Sequence, residues 1–236
     1  MMSRMGNVID LLSRPVYGLA QVDRILGLHS GTARRWIDGY QRSGKSYPPV
    51  VRETSTGKEI VTWGEFVETR LLAQYRDAGV PLGHMRPVVD ALRDELQTPY
   101  PLASARTWLA PRGRELVGKV QDEVGLERPL ALVVLRTGQA VLDWTPAAEG
   151  FRRSVEWTSD DAAAQPKLIR PVADIAEVVI DPLRAFGEPV VRSVPTEVIA
   201  ELVRAGDSVD MIAELYELPR ATVDAAVRYE LHRAAA

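Results

Sequence analysis

Two adjacent arginines, Arg34 and Arg35, follow a Gly-Leu-His-Ser turn in the stretch LGLHSGTARRWI, residues 26–37. A guanidinium can pair bidentately with a guanine edge or with a phosphate, and nearby hydroxyls suit phosphate oxygens. Ser30, Thr32, Arg34, Arg35 and Tyr40 fall on or beside the segment after the turn. The chemistry on offer is recognition of a polyanion; the alternative is a structural corner where two helices meet. Enzyme chemistry has less to work with. The chain has no cysteine, which excludes disulfides and thiolate zinc sites. His29, His84 and His232 are far apart, and neither a phosphate-binding glycine loop nor a His-Glu-x-x-His is present. The carboxylate pairs Asp90/Asp94 and Asp160/Asp161 have the spacing of solvated faces, and the second lies in the loop SDDAAAQP, a poor support for a preorganised site. The expectation is a binding protein and not an enzyme, with no cofactor and no metal.

Charge distribution points the same way. The whole chain of 236 residues carries a net −3. Residues 1–58 nevertheless hold nine Lys/Arg against four acids, whereas residues 194–236 hold four Arg against eight acids. A basic head on an acidic body suggests a localised polyanion site. The N-terminus has no secretory pattern and no apolar run reaches the length of a membrane span, so a cytoplasmic protein with no membrane partner is expected.

These residues need elements to position them. Leu19, Val22, Ile25 and Leu26 space a short helix, Gly27 stops it, and Ser30 is placed to cap a second helix over 31–39. Residues 1–16 lack periodicity and read as a flexible arm, and RSGKSYPP reads as a break. In PVVRETSTGKEIVT, 49–62, β-branched residues flank a polar turn, which predicts a hairpin. Trp63, Val67, Leu71 and Tyr75 predict a third helix, and Pro81 opens a fourth. In that fourth helix Leu82, Met85, Val89, Leu92 and Leu96 form a seam at alternating steps of three and four. The seam fits a dimer contact or packing on its own domain.

Residues 98–112 read as a linker, followed by a helix near 112–124. LALVVLR (130–136) and QAVLDW (139–144) read as a hairpin about Thr137-Gly138, and FRRSVEW (151–157) as an alternating strand. From 177 come short extended pieces and then three helical patterns. The fold expected is α+β and mostly helical: a winged helix-turn-helix over 17–97, a linker helix and small antiparallel sheet over 98–176, and a three-helix, helix-turn-helix-like unit over 177–236.

The second and third of those helical patterns form a corner like the first. Val22, Leu28, Thr32 and Ala33 correspond to Ile212, Leu218, Thr222 and Val223. The later corner carries Glu214, Glu217, Arg220 and Asp224, and carboxylates set against phosphates forfeit the counterion release that drives DNA affinity. DNA is therefore assigned to the first corner and protein contacts to the second.

Two families are recognisable in these residues. Residues 17–97 resemble the MerR-type winged helix-turn-helix, through GLHSGTARRWI, the segment 49–62, EIVTWGEFVETRLLAQYRDAG and GVPLGHMRPVVDAL. The resemblance sets Thr32, Arg34 and Trp36 on the recognition helix, and Arg52 and Lys58 on a wing touching the DNA backbone. The sequence departs at Asp23, where a small residue commonly packs between the helices, and it lacks the long C-terminal coiled-coil helix and the effector-binding cysteines. Residues 178–231 resemble the domain-of-unknown-function family 433, through VVIDPLRAFGEPVVRS and VPTEVIAELVRAGDSVDMIAELYELPRATVDAAVRY. The layout is similar to mycobacterial VapB-type antitoxins. The resemblance implies a PIN-like ribonuclease toxin and operator DNA as partners. Arg184, Arg192, Glu197, Glu214 and Arg220 are candidates for the toxin contact. A homodimer is expected, because dimeric helix-turn-helix proteins read paired half-sites. The alternative function is a stand-alone MerR-like transcription regulator.

Overall fold

The computed structural model describes residues 10–75, 82–110, 112–126, 128, 131–135 and 142–235. The chain is α+β. Strand β1 (Pro15–Gly18) runs into α1 (Leu19–Ile25), a turn, and α2 (Thr32–Asp38). A short hairpin follows at once, β2 (Tyr40–Arg42) against β3 (Lys45–Tyr47). Strand β4 (Ile60–Thr62) returns to pair antiparallel with β1 and leads into α3 (Trp63–Tyr75).

Helix α3 is the hub of the molecule. Trp63, Phe66, Val67, Leu71 and Leu72 are all buried, and so are Glu65, Glu68 and Thr69 on its other faces. A helix buried all round must satisfy its polar groups internally. Trp63 Nε1 donates to Pro166 O at 2.7 Å, and Thr69 Oγ1 donates to Glu65 O at 2.7 Å. Tyr17 from β1 stacks on Phe66 at 4.4 Å.

Glu68 shows what such burial does. Its Oε1 accepts from Leu102 N at 2.7 Å, while Oε2 has no partner among the described residues. Burial pushes its carboxyl up from 4.5 to about 8. The folded chain then keeps a proton that the unfolded chain releases, so this group lowers stability as pH rises from about 4.5 to about 8. The slope is at most about 1.4 kcal/mol per pH unit. Glu68→Gln is expected to flatten the decline and to gain on the wild type toward pH 8, measured by urea denaturation across that range.

A 3-10 turn (Leu82–Met85) precedes α4 (Arg86–Leu96). Leu82, Met85, Val89, Leu92 and Leu96 are all buried within the chain's own core. The expected dimer seam is therefore internal: helix α4 lays that face against its own chain, where Arg93 Nη2 also donates to Val51 O at 2.8 Å. The predicted linker is packed too. Leu102, Ala103, Thr107 and Trp108 are buried around α5 (Ala105–Trp108), and α6 (Gly113–Glu123) falls where a helix is expected.

Strands β5 (Val133–Leu135) and β6 (Leu142–Trp144) pair antiparallel; the predicted turn Thr137-Gly138 lies outside the described residues, as do Gly79, Pro81 and the first nine residues of the predicted arm. The predicted strand 151–157 is mostly helix. Helix α7 (Pro146–Ser154) starts on the Thr145 cap, with proline in its first turn, and β7 (Val155–Trp157) begins only after it. Ala148 and Phe151, three apart, share the buried helical face.

Strands β8 (Pro166–Ile169), β9 (Val178–Ile180), β10 (Pro189–Val191) and β11 (Val194–Pro195) extend β7 into a five-stranded antiparallel sheet ordered β11-β10-β9-β8-β7. Helices α8 (Thr196–Ala205) and α10 (Arg220–Ala235) pack on its β10 end, and α9 (Val209–Leu215) packs on these two helices. Ile169 and Ile180 belong to the large core around α3, whereas Val178 and Val191 belong to a smaller core with Ile199, Ile212 and Val223. Among the described residues no helix is long and apolar enough to cross a membrane.

Candidate nucleic-acid interface

The corner at residues 19–38 is built on Asp23. Its carboxylate is buried and accepts from Gly31 N and Ala33 N, both at 2.7 Å. It thus satisfies the first free amides of α2 from the preceding helix. This explains an acid where a small packing residue is expected, and it displaces the predicted cap. Ser30 makes no capping bond; it is exposed in the turn, and Gly31 occupies the cap position with left-handed backbone. Val22, Ile25, Ala33 and Ile37 fix the helices against each other, all buried.

With those residues turned inward, Arg34 and Arg35 point to solvent. Arg34 pairs with the exposed carboxylate of Glu59. Arg35 Nη2 donates to Thr32 Oγ1 at 2.9 Å, so Thr32, itself largely buried, orients the arginine.

The hairpin β2–β3 continues this face. Its six strand residues are all exposed. Tyr40 and Tyr47 stack at 4.6 Å with planes 4° apart, and Arg42 sits directly opposite Lys45. Like charges paired across a hairpin destabilise it, and an isolated two-stranded hairpin is marginal in water; a polyanion relieves both. Gly39 sets the hairpin close to α2: its φ is +76°, and a Cβ there would lie 2.6 Å from Tyr47 O. Sequence reading missed Arg42 and Lys45. The available signal was Ser43-Gly44, a turn dipeptide, between polar residues able to pair.

Arg52 is not on this surface. Its side chain is largely covered and bonded on every side: Nε to Glu65 at 2.6 Å, Nη1 to Asp38 at 2.7 Å, and Nη2 to Ile60 O at 2.7 Å. The predicted phosphate contact is corrected to a structural post under the loop 52–59. Asp38 organises the loop from below, accepting from Thr56 N at 2.7 Å and Gly57 N at 2.9 Å. Burial opposes its charge, but these bonds and that of Arg52 outweigh the penalty and hold it at about 2. The predicted hairpin 49–62 is thus a loop pinned by one arginine, with only Ile60–Thr62 in a strand. Lys58 remains exposed at its edge.

The residues considered for a protein partner are dispersed. Arg184 pairs with Asp181 at 3.1 Å, Glu197 with Arg24 at 3.1 Å, and Arg220 with Asp210 at 2.7 Å. Arg192 and Glu214 are exposed. Arg24 also holds Glu188 at 2.5 Å and so ties α1 to the loop before β10.

Comparison with known proteins matches residues 15–89 to a family described as "Putative DNA-binding HTH domain" and residues 178–229 to "Protein of unknown function (DUF433)". The chain is 39% identical over 228 residues to the uncharacterized protein Rv2308 of Mycobacterium tuberculosis, covering 94% of this chain and 93% of that protein. It is 28% identical over 222 residues to a protein of the same organism named "Putative antitoxin VapB45", covering 86% and 88%. The crystal structure of Rv2018 from Mycobacterium tuberculosis superposes with a TM-score of 0.69 at 26% identity, covering 90% of this chain and 97% of that one.

Proposed function

The chain belongs to the family of the mycobacterial protein Rv2308, and we propose that it is the DNA-binding antitoxin of a type II toxin–antitoxin module. One observation carries this reading: the likeness to the relative named as an antitoxin extends over 222 aligned residues and covers 86% of this chain. In this reading α2 and the β2–β3 hairpin meet operator DNA in a MerR-like manner, and the protein represses its own operon. The part after residue 100 neutralises a PIN-like ribonuclease. Such an enzyme needs clustered carboxylates and a divalent metal to cut RNA, so covering or distorting that cleft is sufficient.

The test uses the whole chain, because α3 supplies the core to both halves and a fragment lacking it would lose its fold. The chain is co-expressed with the product of the adjoining reading frame. Co-purification, with growth restored to cells producing that product, is the expected result. DNA binding upstream of its own operon without any hold on the adjoining product would instead leave a stand-alone regulator and overturn the antitoxin reading.

A further inference from the structure

The loop between β9 and β10 holds an aromatic ring out into solvent. Phe186 is 89% exposed. Its backbone and that of Ala185 are left-handed, at φ 54° and 43°, a conformation that side chains other than glycine avoid. The surroundings enforce it. Gly187 O accepts from Tyr17 Oη at 3.0 Å, Gly187 N donates to Arg184 O at 2.8 Å, and Leu183 N donates to Asp181 Oδ1 at 2.9 Å. The ring is a preorganised knob, with exposed Leu183 beside it. Arg184, two residues before it, pairs with Asp181 and donates from Nη1 to Arg192 O at 3.3 Å; Arg192 is exposed and has no carboxylate partner among the described residues.

The same chain carries the counterpart. On α9, Met211 and Leu215 lie one turn apart, 61% and 66% exposed. They line a groove of about 350 Å³ with Ile212, and Asp207 and Glu214 complete its rim. Neither acid holds a cation among the described residues. Phe186 does not line this groove, so the two patches do not satisfy each other within one chain.

We propose that the knob and the groove are two sides of one contact between copies of this protein: Phe186 of one copy enters the α9 groove of another. Arg184 and Arg192 then face Asp207 and Glu214, an apolar centre inside a rim of opposite charges. This accounts for a strained loop that exposes an aromatic ring, and for apolar residues left on an otherwise acidic helix. It also supplies a self-contact outside the 82–96 seam, which is buried in the core. Three of the residues considered for the toxin, Arg184, Arg192 and Glu214, are assigned here to a second copy instead.

Sedimentation equilibrium of the full chain, free of DNA and of any other protein, tests the proposal. Concentration-dependent self-association is expected. Phe186→Gly removes the knob and relieves the backbone, so the fold is kept while association weakens by about tenfold or more. Leu215→Glu, on an exposed site, has the same effect. Arg192→Glu and Glu214→Arg each weaken association, and the double variant restores it. A wild type that stays monomeric, or an association indifferent to Phe186→Gly, overturns the proposal. So does a monomer that loses its hold on a separate protein when Phe186 is replaced, because the knob then belongs to that partner.

Discussion

Arg52→Ala is expected to lower unfolding stability by about 3 kcal/mol, read from urea denaturation at neutral pH. The magnitude follows from what remains behind. Asp38 and Glu65 are both buried, and each loses the guanidinium that neutralises it. Removing one partner of a buried ion pair costs more than the pair itself contributes, because the uncompensated charge stays. Lysine does not rescue the site. A single ammonium cannot reach Glu65, Asp38 and two backbone carbonyls at once, which Arg52 does through Lys58 O at 3.1 Å and Ile60 O at 2.7 Å. Acid acts on the same network. Asp38 is held at about 2 against an ordinary 3.8, so its contribution is complete above about pH 4 and is lost as pH falls toward 2. Without Arg52 the depression shrinks, so that loss is smaller and is complete at a higher pH. A residue whose role was only to touch phosphate would leave the urea midpoint unchanged.

Why Arg52 reads in the sequence as a surface wing residue has a local cause. Val50, Val51 and Ile60, Val61 flank a polar turn, and pattern alone pairs them. In the structure both amides on the first side are already taken: Val50 N and Val51 N donate to Trp36 O at 2.8 and 3.0 Å. Pro48 and Pro49 have no amide to offer. The second side finds β1 instead, with Tyr17 opposite Val61. Long-range competition of this kind leaves no mark within a window of residues. The corner itself was legible because its determinants are local: the apolar spacing of α1, the glycine that ends it, and the start of α2 after the turn. Its cap was not, since Asp23 reaches the amides from the previous helix. The 82–96 seam is a third kind of case. Periodicity locates an apolar face but cannot say whether the surface that covers it lies in the same chain. Phe151, Arg153, Val155 and Trp157 alternate like a strand, yet the Thr145-Pro146 start fixes Phe151 through Ser154 in helical phase and leaves only Val155–Trp157 extended.

Replacing Arg34 and Arg35 together by alanine is expected to abolish most operator binding while barely moving stability. Both side chains are exposed. The pair Arg34–Glu59 lies at the surface, where such pairs contribute about 1 kcal/mol or less. The same weakness lets a phosphate displace Glu59, so the ion pair does not occlude the site. Each lost phosphate contact lowers the slope of log affinity against log salt by about 0.9. The double variant should therefore lose nearly two units of slope, measured by fluorescence anisotropy at several salt concentrations. Glu59→Gln provides the opposing control. It frees Arg34 from its internal carboxylate and takes a negative charge off the face, so affinity at low salt should rise. A double variant with undiminished slope would place the nucleic acid away from α2, and the basic head of the chain would then need a different partner to explain it.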